Sequence, residues 1–137
     1  MIILVVSSIW IDLFRGRSTV GTAALETLIK RRRVAIGDLI LTEVLQGFKR
    51  ETEFERARQT LLLAAPLTIV DEEVALQAAR HYRTLRDRGI TVRKTIDTLI
   101  ATRCILDRTP LLYSDRDFDP FVQHLGLRSA MDLPGVT

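Results

Sequence analysis

The chain has 137 residues, of which 47% are hydrophobic and 27% are charged, and it carries a net charge of +3. This length and composition fit one compact domain over residues 1–137 with a buried core, and they exclude an intrinsically disordered chain. The single cysteine, Cys104, excludes an internal disulfide and favours a reducing cytoplasm, while no apolar run reaches the ~18 residues of a membrane span.

Short apolar segments alternate with helical patterns from the first residues onward. Ile2–Val6 is apolar throughout, which is typical of a parallel strand covered on both faces, and Ser7 is predicted to cap the helix that follows. A second helix ends in the basic run Lys30–Arg33. Further strands are predicted at Val34–Ile36, Leu67–Val70 and Leu111–Tyr113, with an edge strand at Gly126–Ser129. Later helices are predicted from Asp38 and over Glu51–Leu63, Glu72–Arg88, Thr95–Leu106 and Asp119–Leu125.

This alternation predicts an α/β fold in which about four to five parallel strands form a central sheet with helices on both faces. Residues 133–137 are expected to form a loose C-terminal tail. Ligands of such folds bind beyond the carboxyl ends of the strands, so chemistry is expected at that edge of the sheet.

Acidic residues occupy four positions where this edge is expected. Glu43 lies in "LTEVLQG", Asp97 in "TIDTLIA", and Asp115 and Asp117 lie in "LLYSDRDF" directly after the last strand. Each has an ordinary explanation alone, as an exposed helix glutamate, a complement to a helix dipole or a turn residue. Converging carboxylates repel one another unless a cation holds them, and Mg²⁺ or Mn²⁺ prefers such oxygen ligands.

Other catalytic motifs are missing from the sequence. It contains no P-loop, no GxGxxG, no CxxC and no HExxH. The two histidines, His81 and His124, fall within predicted helices and are assigned no catalytic role. The acids are therefore the main candidates for chemistry.

Four segments together resemble the PIN-domain proteins, and specifically the VapC-type toxins of type II toxin–antitoxin pairs. The segments are "ILVVSSIWIDLFRG", "GDLILTEVLQGF", "TIDTLIATRCI" and "PLLYSDRDFDPFVQHLGLR", in family order across nearly the whole chain. The resemblance implies a three-layer α/β/α sandwich, an acid cluster that binds Mg²⁺ or Mn²⁺, and endoribonuclease activity on tRNA or rRNA. It also implies a homodimer and a VapB-like antitoxin whose C-terminal segment blocks the active site.

The resemblance assigns site residues one by one. Glu43, Asp97 and Asp115 match the second, third and fourth acids of the family, and the resemblance implies that they are catalytic and hold the metal. Asp117 matches a further acid, and Ser8 a small hydroxyl residue beside the cleft. For RNA, Arg93 and Lys94 flank the predicted cleft, while the basic run Lys30–Arg33 suits either phosphate binding or a solvated helix end.

Position 6 departs from the family pattern. The family places an aspartate after the first strand, whereas this chain has Val6, which offers no oxygen to a metal. Losing even a residue that supports a metal ligand costs about 10–100-fold in metal affinity or activity. We therefore expect this chain to bind metal weakly and to cleave RNA poorly. Two explanations fit: a substitution made or selected so that a toxic protein can be produced, or a naturally inactive relative that still binds antitoxin. Retention of the other acids favours the first.

Two rival functions remain at the level of sequence. One is a catalytically inactive module that binds antitoxin. The other is a phosphoacceptor signalling domain, for which only Asp71 follows the third strand suitably, while the acids and lysine that such a domain needs elsewhere are missing.

Overall fold

The computed structural model describes residues 1–136. The strands are β1 (Ile3–Val5), β2 (Val34–Gly37), β3 (Ala65–Leu67) and β4 (Leu111–Leu112). The α-helices are α1 (Ser7–Phe14), α2 (Val20–Lys30), α3 (Asp38–Leu45), α4 (Glu51–Leu61), α5 (Glu72–Asp87), α6 (Thr95–Asp107) and α7 (Asp119–Leu125). Short 3₁₀ helices span Arg116–Phe118 and Ala130–Asp132.

The four strands form one parallel sheet in the order β3-β2-β1-β4, which confirms the predicted α/β fold with a central parallel sheet flanked by helices. Where the sequence predicts a fifth, edge strand, an isolated parallel bridge joins Leu111 to Ser129. Strands β2 and β3 follow β1 in order on one side of it, and β4 then pairs with β1 on its other side. This reversal places the topological switch point between β1 and β4, where ligands of open α/β sheets bind.

One continuous apolar core surrounds the sheet. All three residues of β1, Ile3 to Val5, have no exposed surface, because helices cover both faces of this central strand. The same core extends from Ile3 at one end of the chain to Val136 at the other. Within residues 1–136, no helix is long and apolar enough to cross a bilayer.

The third strand lies earlier in the chain than predicted. The prediction of Leu67–Val70 is wrong, because β3 runs from Ala65 to Leu67 and includes Pro66. β3 is an edge strand, and an edge tolerates a proline because one side of the strand needs no donors. Ile69 is fully buried in the connection that follows, where Asp38 Oδ1 accepts its N–H at 3.0 Å and Arg103 Nε donates to its carbonyl at 3.0 Å.

The C-terminal residues pack more closely than the loose tail expected for residues 133–137. Val136 is 3% exposed and belongs to the core, while the carbonyl of Gly135 accepts a hydrogen bond from Arg31 at 3.1 Å. Burial of Val136 and the hydrogen bond to Arg31 at the end of α2 hold the segment in place. Residues 133–136 are therefore not the loose tail that the sequence predicts. Residue 137 lies outside the described residues.

Candidate active site

The end of the central strand carries a hydrophobic residue. Val6 is 4% exposed, and its amide donates a hydrogen bond to the carbonyl of Leu112 in β4 at 3.1 Å. Val6 rather than Ser7 is the N-cap of α1, and no side chain caps this helix, so the predicted Ser7 cap is wrong. The extended backbone of Val6 carries the chain from strand to helix without a break, which leaves Ser7 inside the first turn. Ser8 follows, exposed on the same turn, and its role in the site stays a prediction.

The candidate acids come from three separate segments. Glu43 is half-buried on α3, and Asp97 is half-buried in the first turn of α6. Asp115 is exposed just beyond β4, and its Oδ1 accepts the N–H of Asp117 at 3.0 Å, which caps the 3₁₀ helix Arg116–Phe118. Each segment begins at the carboxyl end of a strand or at the start of a helix, as the fold predicts for a functional edge.

The pKa of Asp97 reports how these acids interact. The pKa of this carboxyl is raised to about 6, chiefly by burial; Lys94 opposes the rise, and the negative charges of Asp117, Glu43 and Asp115 add to it. The charges of Glu43, Asp115 and Asp117 therefore reach Asp97, although these acids come from separate segments of the chain. A carboxyl in this setting gives up its proton at a higher pH than an ordinary aspartate does, and a bound cation would favour its charged form.

The chemistry of the donor set fits a hard divalent cation, since these four acids offer only carboxylate oxygens. Their side chains do not form a cluster of ligands, because among residues 1–136 no group of three or more His, Cys, Asp or Glu side chains is close enough to hold a metal ion. Val6 contributes no oxygen, and one oxygen of Asp115 is already used as a cap. The residues thus fit the kind of ion, while position 6 weakens the set.

Cationic side chains surround the acids unevenly. Lys94 is exposed at the N-cap of α6 and is close enough to Asp97 to lower its pKa, with Arg93 exposed beside it. In the basic run Lys30–Arg33, Arg31 and Arg33 donate to the carbonyls of Gly135 and Met1 at 3.1 and 2.9 Å. Two members of this run therefore have structural hydrogen-bond partners. Lys94 is the cation whose charge lowers the pKa of Asp97.

Asp71 is occupied by structural contacts. Its Oδ1 accepts the N–H of Val74 at 2.9 Å and caps α5, and its Oδ2 accepts from Arg103 Nη2 at 2.8 Å. These two hydrogen bonds, in that order, lower the pKa of the carboxyl. Arg103 also donates to Asp107 at 3.2 Å, and only 13% of its side chain is exposed. This arrangement explains Asp71 without a phosphoacceptor role.

Sequence reasoning missed one buried hydroxyl beside the acids. Thr98 follows Asp97 on α6, is 2% exposed, and its Oγ1 has no hydrogen-bond partner among residues 1–136. The only sequence signal is a threonine in the first turns of a helix, which is also common on solvated helix faces. Its burial follows from the packing of α5 against α6, and a pattern along one helix does not show that packing.

Comparisons with known proteins identify the family of the chain. The PIN domain family model matches residues 3–121. VapC ribonuclease Mb1587 of Mycobacterium bovis and ribonuclease VapC11 of Mycobacterium tuberculosis are each 30% identical over 134 residues, covering 93% of this chain and 97% of the relative.

Solved structures share the fold. The VapBC2 complex of Rickettsia felis, bound to a DNA fragment from its promoter, matches with a TM-score of 0.75 at 15% identity, covering 94% of this chain and 97% of that one. A toxin–antitoxin complex of Klebsiella pneumoniae matches with a TM-score of 0.66 at 21% identity, covering 93% and 96%. The family model and the curated relatives span most of the chain, and the chain belongs to the PIN domain family, within its VapC group.

Proposed function

We propose that this chain is the endoribonuclease toxin of a type II toxin–antitoxin pair, that it depends on Mg²⁺ or Mn²⁺, and that Val6 leaves it weak or inactive. The observation that carries the proposal is the pKa of Asp97, raised to about 6 by burial and by the charges of three other acids. Those acids come from separate segments around the switch point of the sheet. The ribonuclease relatives, at 30% identity, support the reaction class.

The proposal gives the acids distinct tasks. Glu43, Asp97 and Asp115 would hold the cation, and Asp117 would add negative charge beside them, with Ser8 in support. When bound, the ion supplies positive charge that turns water into a nucleophile and stabilises the phosphoryl transition state. Arg93 and Lys94 are exposed at the start of α6, where cations favour the phosphates of an RNA strand. The expected substrate is tRNA or rRNA.

Valine at position 6 is expected to weaken metal binding at the proposed site. Val6 is 4% exposed at the end of β1, and its hydrocarbon side chain offers no oxygen to a metal ion. Removing a ligand is expected to cost at least the ~10–100-fold that is typical of disturbing its supporting partners. The same burial favours the second candidate function, an inactive module that binds antitoxin.

A partner protein and an assembly belong to the proposal. The matched structures are toxin–antitoxin complexes, which supports a VapB-like antitoxin as the partner of this chain. The family resemblance supports a homodimer as part of the proposal. The single cysteine, which is buried, supports a cytoplasmic location.

RNA cleavage by the parent chain and by Val6→Asp tests the proposal. Both proteins are incubated with tRNA and rRNA in Mg²⁺ or Mn²⁺, and in EDTA. Val6→Asn is the matched control, because it has nearly the shape of aspartate without the charge. The double variant Val6→Asp with Asp97→Asn controls for contaminating nuclease. We expect cleavage only by Val6→Asp, only with metal, and at least 10–100-fold above the parent.

Other outcomes separate the alternatives. If neither protein cuts any of the RNAs while both bind antitoxin, the inactive module is the better description. If the parent cuts as well as Val6→Asp, Glu43, Asp97 and Asp115 suffice, and the account of position 6 is wrong.

A further inference from the structure

The exposed side of α5 carries opposite charges at its two ends. Glu72 and Glu73 are exposed in the first turn, and Arg83 and Arg86 are exposed in the last two turns. Among residues 1–136, none of these four side chains takes part in a salt bridge. Asp87 is the only acid in the second half of the helix. The two ends therefore present charge of opposite sign to whatever lies outside the helix.

Apolar residues lie between the charged ends. Leu76 is 59% exposed, and Ala79 is exposed one turn further along. The helix dipole favours acids at the start of a helix and bases at its end, but it does not account for an exposed leucine between them. Successive intervals of four, three, four and three residues place five side chains on one stripe of the helix, as in a seam between two helices. We name this set the α5 stripe: Glu72, Leu76, Ala79, Arg83 and Arg86.

The α5 stripe is complementary to a second copy of itself that runs in the opposite direction. Glu72 and Arg86 each lie seven residues from Ala79, which is about 10 Å along the helix axis. A twofold axis through Ala79 therefore brings Glu72 of each copy opposite Arg86 of the other. Ala79 then meets its own counterpart, where a small side chain lets the two helices approach closely. A contact of this symmetry forms every favourable pair twice.

We propose that two copies of this chain associate through the α5 stripe, with their α5 helices antiparallel. This dimer is the homodimer of the proposed function, on which the inference rests, and RNA cleavage is not needed for it. The arginine end alone also suits a phosphate backbone, but the glutamate end of the same stripe repels phosphate, whereas a second copy pairs both ends. One pair of helices is smaller than a standard interface of about 800 Å² per partner, so we expect the association to respond to protein concentration and to salt.

Sedimentation velocity over a range of protein concentrations measures the association. The acid-reversed variant carries Glu72→Lys and Glu73→Lys, and the base-reversed variant carries Arg83→Glu and Arg86→Glu. Each variant gives both ends of the stripe the same sign of charge, so like charges face one another in the antiparallel pair. We expect each variant alone to associate at least about tenfold more weakly than the parent.

A mixture of the two variants tests the antiparallel arrangement directly. The new lysines of the first variant then face the new glutamates of the second, and the remaining arginines and glutamates face one another as in the parent. We expect a mixed dimer about as stable as the parent dimer, which also shows that both variants are folded. Two variants that keep the circular dichroism of the parent but do not combine would contradict the pairing.

Matched controls separate the α5 stripe from a general effect of charge or of surface leucines. Glu51→Lys with Glu53→Lys reverses two exposed acids in the first turn of α4, and this variant is expected to associate like the parent. Leu76→Gln is expected to weaken the association several-fold, because it removes the apolar centre of the stripe. Leu63→Gln, at a leucine that is 87% exposed elsewhere, is expected to have no effect.

Three results overturn the inference in different ways. If the parent is monomeric at every concentration, the homodimer fails and the α5 stripe fails with it, while the ribonuclease activity is tested separately by Val6→Asp. If the parent dimerises and both reversed variants dimerise as well as the α4 control does, another surface forms the dimer. If the base-reversed variant stays dimeric but no longer binds an unstructured oligoribonucleotide that the parent binds, the arginine end contacts RNA instead.

Discussion

Replacing Val6 by aspartate is expected to destabilise the metal-free protein. Val6 is 4% exposed, and burying a valine side chain stabilises a fold by about 1.5–3 kcal/mol. An aspartate there loses this contribution and leaves a carboxyl group with no positive partner, at a further cost of about 1–3 kcal/mol. The expected loss is therefore about 3–6 kcal/mol at pH 7, a large part of the roughly 5–15 kcal/mol of a typical domain.

Urea unfolding in EDTA measures this loss. With a slope of about 2 kcal/mol per molar urea, a loss of about 3–6 kcal/mol moves the midpoint by roughly 1.5–3 M. Val6→Asn is the control for the loss of apolar burial, because it lacks the charge. The midpoint of Val6→Asp is expected below that of Val6→Asn at pH 7, since only the aspartate repels the neighbouring acids. This difference should shrink as the pH falls and the new carboxyl takes up a proton.

Magnesium is expected to raise the stability of Val6→Asp above that of Val6→Asn. An ion that binds only the folded state adds about 2.7 kcal/mol at a hundredfold excess over its dissociation constant. Val6→Asp should gain most of this, and the parent and Val6→Asn little. If Val6→Asp is as stable as the parent in EDTA at pH 7, the reasoning about position 6 is refuted. If Mg²⁺ stabilises all three equally, position 6 is not a ligand position.

Three further changes test the surrounding structure by urea midpoints in EDTA. The pKa of Asp97 is raised from 3.8 to about 6, so its stabilising contribution is complete below 3.8 and is lost as the pH rises through about 6. Asp97→Asn stays neutral and should therefore gain about 1 kcal/mol at pH 7 over the parent but not at pH 4, a value discounted for solvent screening at a half-buried group. Arg103→Gln removes a nearly buried guanidinium that donates to the carbonyl of Ile69, and it should lower the free energy of unfolding by about 2–3 kcal/mol. Arg103→Lys should recover only part of this loss, because lysine lacks the planar guanidinium group with its several N–H donors. Gly37→Ala would place a Cβ 2.7 Å from Ile69 Cδ1 and should cost about 1–3 kcal/mol, whereas Gly47→Ala, with 3.5 Å to its nearest neighbour, should cost less; equal losses would contradict the packing argument.

The order of strands and helices could be predicted because each buried strand is a continuous apolar run between helical patterns. The error at β3 shows the limit of such patterns. Leu67–Val70 is apolar enough for a strand, yet the backbone of Ile69 is satisfied by the side chains of Asp38 and Arg103. Those partners lie 31 and 34 residues away, and a local pattern contains no information about contacts at that range.

The candidate site could be predicted in outline only. Parallel strands bring their carboxyl ends to one edge of the sheet, so the expectation that Glu43, Asp97 and Asp115 lie near that edge follows from the fold, and the effect of Glu43 and Asp115 on the pKa of Asp97 agrees with it. The hydrogen bonding and burial of each side chain do not follow from the order of strands and helices. Asp115 caps a 3₁₀ helix, and Thr98 lies buried and unpaired, because both depend on local backbone geometry and helix packing.

The same acids that would hold a cation also compete for a proton. Asp97 has its pKa raised to about 6 with three other acids contributing, so near neutral pH a small change in acidity alters the charge of the cluster. Adding an aspartate at position 6 supplies a ligand and also raises the repulsion among these carboxylates, so metal must displace a proton to bind. Metal affinity of Val6→Asp should therefore increase with pH through about 6. If the proposed function holds, valine at position 6 avoids this conflict, and the metal-free parent is expected to be more stable than Val6→Asp.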